Sequence, residues 1–209
     1  MAVYRDARCK LCRREGVKLQ LKGDRCFSDK CAMERRPFLP GQHGQTRRRM
    51  ISEYGRQLRE KQKAKRIYGV LEAQFRRYFA TAVRKKGVTG VNLLRMLELR
   101  LDNIIYRMGL APSRSTARQL VIHNHFLLND KPVNIPSIEL KEGDVVKVRE
   151  KSKELASIHS SLKNTAKREE LEWMAVDKVK LTGTIVKLPE RDMIPAPIEE
   201  QLIVELYSK

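Results

Sequence analysis

The 209-residue chain contains no apolar run close to the roughly 18 to 20 residues that a membrane-spanning helix requires. Its first thirty residues, opening MAVYRDARCK, are dense in Arg and Lys and lack the apolar stretch of a secretory signal. Both absences lead us to expect a cytosolic protein with no membrane partner. Cysteine is absent beyond residue 31, and the four that occur are expected to be reduced and to serve as metal ligands before they serve as disulfides. Aromatic residues make up only 6% and the single Trp is Trp173, so stacking of bases on many rings is excluded as the main binding mode. There is no nucleophile–base–acid set, no phosphate-cradling glycine loop, no pair of catalytic acids and no His-rich cluster among the four histidines. An enzyme acting on a small-molecule substrate is therefore not expected.

Acid is also in short supply. The chain holds 44 Lys and Arg against 25 Asp and Glu, a net charge of +19. The shortage is local: residues 1–98 hold 26 bases against 9 acids, whereas residues 99–209 are nearly balanced. A charge confined to one half of a chain is the electrostatic footprint of a polyanion lying against that half. A membrane surface would call for a broad apolar helix face with Trp anchors, and Trp173 lies outside the basic half.

Periodicity places the elements. Ser52 is a helix cap for a segment running to Tyr68, with Tyr54, Leu58 and Ile67 as its sparse apolar positions. A second helix is expected from Val70 to about Lys85, with Leu71, Phe75, Tyr78, Phe79 and Ala82 as its packing stripe. From Asn92 a single helical pattern runs through Leu93, Leu94, Leu97, Leu101, Ile104, Ile105 and Met108 to a stop at Gly109. Ser113 caps a short helix from Arg114 to about His123. Strands are expected at Phe126–Asn129, before the turn Asn129-Asp130-Lys131-Pro132, then at Val145–Arg149 and at Leu181–Leu188. Helices return at about 154–164 and 199–206. The fold class is α+β: an N-terminal four-cysteine knuckle and linker (1–45), a basic helical region (46–98), a small α/β module with an antiparallel sheet (99–170), and C-terminal strands and a helix (171–209) that return to the helical part.

Cys9, Cys12, Cys26 and Cys31 form the pattern C-x2-C-x13-C-x4-C. Two close pairs within 23 residues suit tetrahedral thiolate coordination of one structural Zn2+, and an iron–sulfur cluster would accept the same four ligands. Residues before position 40 offer few large apolar side chains, so the metal would supply the folding energy of that segment. His43, in the turn-rich stretch Pro37 to Gly44, reads as a turn residue or an RNA contact.

Candidate phosphate contacts follow from charge and placement. Arg35 and Arg36 precede the linker and Arg47, Arg48 and Arg49 follow it. Arg56, Arg59, Lys61, Lys63, Lys65 and Arg66 lie along the first long helix, where only Glu53 and Glu60 interrupt the basic run. A second candidate face combines Arg107, Ser113, Arg114 and Arg118 at a helix start with His123 and Lys131 downstream. Folded RNA is read mainly by shape and backbone, which suits such an array.

The strings Leu99–Arg107, Ser113–Val121 and His125–Asn129 together resemble an S-four-type RNA-binding domain. The cysteine pattern, Arg36-Pro37 through Pro40-Gly41-Gln42-His43-Gly44, Tyr68-Gly69-Val70 and Lys131-Pro132-Val133-Asn134-Ile135-Pro136-Ser137 extend the resemblance over essentially the whole chain, to the bacterial-type ribosomal protein S-four family. That resemblance implies a structural constituent of the small ribosomal subunit and a primary binder of 16S-type ribosomal RNA at a 5′-domain junction. It also implies a role in nucleating subunit assembly and in translational accuracy, with small-subunit proteins five and three as neighbours. Some family members lack the cysteines, so the metal rests on this chain's own spacing. Pseudouridine synthases carry a similar module, and Arg100-Leu101-Asp102 resembles their catalytic string. The flanks are too short for their catalytic domain, and Asp102 falls in a core pattern that suits a salt bridge or a cap. A free RNA-binding regulator would share every one of these strings. Residues 195–209 are apolar and acidic and suit packing on protein, either the chain's own core or, as the resemblance implies, small-subunit protein five.

Overall fold

The computed structural model describes residues 4–46, 51–165 and 171–208. The chain divides into two compact units, one formed by the chain up to Asn92 together with Ala196 onward, the other by Leu93–Pro195. The second unit is thus inserted, in sequence, into the first.

The first unit is helical. Helix α1 (Arg8–Glu15) ends where Gly16 turns left-handed and its N–H bonds the Cys12 carbonyl. A 3-10 turn (Gly23–Phe27) and the short α2 (Ala32–Arg35) follow. Arg13 then pins the linker, donating to the carbonyls of Phe38 and Leu39 at 2.9 and 3.1 Å with its guanidinium over the Phe38 ring. Helix α3 (Glu53–Ile67) begins as the sequence suggests, the Ser52 hydroxyl accepting from the Gly55 N–H. It ends in a Schellman arrangement: Gly69 and Val70 donate to the Arg66 and Lys65 carbonyls, and the left-handed φ of +64° at position 69 needs glycine.

The inward face of α3 differs from the expected one. Tyr54 is exposed, while Gln57, Lys61, Ala64 and Ile67 are the buried positions. Helix α4 (Glu72–Arg84) buries Phe75 and Ala82 from its predicted stripe and leaves Leu71, just before it, exposed. The C-terminal residues pack on their own unit: the last helix sets Ile203, fully buried, and Tyr207 against α3 and α4. Of the two destinations open to this segment, the chain's own core is the one observed.

Helix α5 (Thr89–Glu98) carries the chain across the division between units. The single helix expected from Asn92 to Met108 is in fact two, α5 and α6 (Leu101–Arg107). Between them Arg100 is extended, because the chain there pairs with the segment Pro136–Leu140: Leu140 donates to the Leu99 carbonyl, and Leu101 and Asp102 donate to the carbonyls of Ile138 and Pro136. The apolar spacing is indifferent to one residue of non-helical backbone, so only this long-range pairing marks the break. Helix α7 (Arg114–Ile122) is capped by the Ser113 hydroxyl, which accepts from the Thr116 N–H.

The sheet is five-stranded and antiparallel throughout, in the order β2-β1-β3-β5-β4. Strands β1 (Phe126–Leu128) and β2 (Lys131–Val133) form a hairpin through Asn129 and Asp130, both with positive φ (48° and 64°), the two-residue turn that matches strand twist. Strand β2 was hidden in the sequence inside the turn; Pro132 is tolerated there because β2 is an edge strand. Strand β3 (Val145–Val148) is central, α8 (Ala156–Thr165) follows, and β4 (Met174–Asp177) with β5 (Thr182–Ile185) completes the sheet. Leu101, Ile104, Ile105, Val121, Phe126, Val146, Ile158, Trp173 and Ile185 share one buried core. Helix α9 (Glu200–Tyr207) is the helix that returns to the first unit. Among the described residues, no helix is long and apolar enough to cross a membrane.

Candidate nucleic-acid interface

Arg47, Arg48 and Arg49 lie outside the described residues. Of the α3 bases, Arg59, Lys61, Lys63, Lys65 and Arg66 are held by carboxylates of their own unit. Glu15, whose side chain is only 2% exposed, pairs with Arg66 and, at 3.4 Å, with Arg59. Burial pushes the Glu15 carboxyl above its ordinary pKa, against the pull of both guanidiniums, and burial likewise lowers Arg66. Lys63 pairs with Glu60 at 2.6 Å. Glu72 takes Lys61 at 2.8 Å and Lys65 at 3.0 Å, and also accepts from the Tyr207 hydroxyl at 3.1 Å. Burial alone would raise Glu72, but the hydrogen bonds from the two lysines prevail and bring it to about 2. Burial and the facing Glu72 carboxylate raise the Tyr207 phenol. These five α3 bases therefore keep a positive excess over their three carboxylates but are fixed in place, and several serve the packing of their unit.

Arg35, Arg36, His43 and Arg56 are exposed, and Arg35 donates to the Asp29 carbonyl at 3.1 Å. Sequence reasoning passed over a further set. Arg76, Arg77 and Arg84 on α4, with Lys85 and Lys86 just beyond it, are all exposed. Phe75 and Ala82, seven residues apart, define the inward side of α4, and reading the outward side of the same helix period reveals these bases.

The second unit brings most of the module's candidate residues together and separates others from solvent. Arg118 is buried within 3.5 Å of Asp102, itself held by Arg100 through bonds of 3.0 and 2.6 Å. Arg118 thus belongs to a buried charge cluster, and Asp102 is the salt-bridged core residue its pattern suggests. Ser113 is spent on capping. Arg107 and Arg114 are half-buried and linked through neighbours on α5 and α6. His123 and Lys131 are exposed. The His125 imidazole, 2.9 Å from the Ser152 hydroxyl, is lowered in pKa by burial and by His123 and Arg149.

The cysteines do not sit on two tight turns. Cys9 and Cys12 lie one turn apart on α1, Cys26 in the 3-10 turn and Cys31 just before α2. Cys12, Cys26 and Cys31 are buried, and neighbouring cysteines add to the effect of burial in raising the Cys12 and Cys26 thiols. Backbone N–H groups address two sulfurs, Leu19 that of Cys12 and Lys22 that of Cys26 at 3.3 Å. Among the described residues no three or more His, Cys, Asp or Glu are drawn into metal-holding geometry. Burial is the main cause that raises the Cys12 and Cys26 thiols. In kind, the four thiols are the donor set of one thiolate-bound ion.

Comparison with known proteins covers the chain from end to end. Residues 3–98 match the family described as ribosomal protein S4/S9 N-terminal domain, and residues 99–146 match the S4 domain. The small ribosomal subunit protein uS4 of Natranaerobius thermophilus is 58% identical over 210 aligned positions, covering all of both chains. The uS4 proteins of Citrifermentans bemidjiense and Acetivibrio thermocellus are each 58% identical over 209 positions, again covering all of both chains.

Proposed function

The chain belongs to the family of small ribosomal subunit protein uS4, and on that footing we propose that it binds small-subunit ribosomal RNA and holds it for subunit assembly. It is a structural constituent of the small ribosomal subunit in the cytoplasm, not an enzyme. The finer reading is a primary grip on a multi-helix junction of the 5′ domain, with nucleation of assembly, a contribution to accuracy, and small-subunit proteins five and three as neighbours. The observation that carries the RNA reading is that the positive charge is concentrated in residues 1–98, which the N-terminal family match covers almost entirely. Its contact set is the exposed bases Arg35, Arg36, Arg56, Arg76, Arg77 and Arg84, together with Arg107, Arg114 and Lys131 on the second unit.

The test is binding of the full chain to small-subunit RNA across a salt series. Replacing Arg76, Arg77 and Arg84 with Gln is expected to weaken binding and flatten log K against log salt by roughly 0.7–0.9 per lost phosphate contact. An unchanged slope would remove α4 from the interface. Absence of any preference for small-subunit RNA over a random RNA of equal length would remove the RNA reading itself.

One structural metal ion, Zn2+ or, less readily, an iron–sulfur cluster, on Cys9, Cys12, Cys26 and Cys31 belongs to the same proposal. It is supported by the spacing, by three buried thiols and by the N–H groups directed at sulfur. When bound, the ion would supply folding energy on the order of 10 kcal/mol to the N-terminal segment. The Cys26→Ser protein is expected to lose the ion by elemental analysis and to become protease-sensitive over about residues 4–40. A Cys26→Ser protein that keeps a resistant, metal-free N-terminus defeats this part of the proposal.

A further inference from the structure

Glu98 is the last residue of α5, and its side chain is wholly enclosed. A buried carboxylate is tolerated only when its oxygens are answered. Here Arg107 donates to both oxygens, from Nε at 3.1 Å and from a terminal nitrogen at 2.6 Å. The Asn103 amide nitrogen donates to the same carboxylate at 2.6 Å and to the Glu98 carbonyl at 2.8 Å. Those two bonds fix which way the Asn103 amide faces. Its Oδ1 consequently accepts from Nε of Arg114 at 2.7 Å, and the Arg114 guanidinium lies over the Tyr106 ring, 4.5 Å from its centroid.

One carboxylate thus sets the orientation of two guanidiniums on different helices. Neutralising Glu98 would need Arg107 alone. The further link through Asn103 reaches a half-buried arginine at the first position of α7, beside a helix start whose Ser113 cap is already in place. An anion placed behind a phosphate-binding face opposes the ligand by Coulomb's law, so its benefit there lies in geometry. A guanidinium held in advance loses less rotamer freedom when it meets phosphate.

We infer that Glu98 is a positioning residue for phosphate recognition, holding Arg107 directly and Arg114 through Asn103 in the orientation that meets the RNA backbone. The inference rests on the RNA-binding reading above.

Charge and geometry predict opposite signs for one substitution, which makes the inference testable with the full-length chain and small-subunit RNA. Glu98→Gln keeps the size of the side chain and removes a negative charge. Glutamine has one acceptor oxygen where two are used, so an amide N–H must face either the terminal nitrogen of Arg107 or the shared site of Arg107 Nε and Asn103, and the two-oxygen grip on Arg107 is broken either way. If Glu98 acts only as a charge, Glu98→Gln binds more tightly than wild type. If it positions, binding falls by about tenfold, and adding Glu98→Gln to Arg107→Ala/Arg114→Ala changes nothing more. Trp173 emission checks that the second unit is folded in each variant. Should Glu98→Gln fail that check, Arg114→Lys decides, because it keeps the charge and loses the Asn103 contact. Binding close to that of Arg114→Ala supports positioning; binding at wild-type strength overturns it. A folded Glu98→Gln protein that binds as well as or better than wild type also overturns it. A wild-type chain that shows no RNA preference removes the underlying RNA reading, and the inference with it.

Discussion

Ending the chain after Pro195 is expected to unfold the helical unit while leaving Leu93–Pro195 folded. The removed segment supplies Ile203, fully buried, and Tyr207, stacked on Phe79 with centroids 4.5 Å apart and on Phe75 at 6.4 Å. It also supplies Glu205, which accepts from Gln57 at 3.0 Å, and the phenol that donates to Glu72. Without it Gln57, a buried position of α3, loses its bond to Glu205, and the Lys61–Glu72 pair is opened to water. Loss of one buried Ile and one half-buried Tyr costs about 4 kcal/mol or more, a large part of what a unit of this size has to spare. Hydrogen exchange should show α3 and α4 unprotected in the truncated chain, while emission from Trp173, the only Trp, should report an unchanged second unit. RNA binding should fall with the first unit. A truncated chain with protected α3 and α4 would mean that the C-terminal helix serves a neighbour rather than its own unit.

The second large effect is expected at Asp102. Its carboxylate is buried and answers two buried guanidiniums, Arg100 at 2.6 Å and Arg118 at 3.5 Å. Asp102→Ala leaves both cations without that counter-charge in a place that water does not reach. Breaking one side of a buried ion pair costs about 3–5 kcal/mol. Chemical denaturation followed at Trp173 should therefore show the second unit weakened by that amount. Arg100→Met with Asp102→Leu and Arg118→Leu, which removes the whole cluster, should recover much of it. A loss below about 1 kcal/mol in Asp102→Ala would show that the cluster is solvated in solution. Either result concerns stability. The Arg-Leu-Asp string, which resembles a catalytic one in another family, is occupied by ion pairing within the fold.

Part of this protein was determined by local sequence alone. The charge excess of residues 1–98 is a property of composition, and no fold can remove it. Ser52 and Ser113 act as caps because a hydroxyl reaches an N–H three residues away whatever surrounds it. Asn129-Asp130 makes its turn because those side chains tolerate positive φ. Helix α7, strand β1 and the turn after it are likewise legible from short strings, because they are built from neighbours in sequence.

Other features were decided only by tertiary structure, through partners far along the chain. The apolar rhythm from Leu93 to Met108 continues through Leu99 and Arg100, and it is the pairing with Pro136–Leu140 that breaks the helix there. The inward face of α3 carries Gln57 and Lys61, which composition assigns to solvent. They can be buried because Glu205 and Glu72, 148 and 11 residues away, answer them. The short strands β2 and β4 have too few residues to show a period and exist because β1 and β5 offer open edges. The Glu98 network reads in sequence as four scattered polar residues, Glu98, Asn103, Arg107 and Arg114, among apolar ones. A local signal fixes a backbone turn or a cap within a few residues; the burial of a charge depends on its counter-charge, and only the folded chain brings the two together.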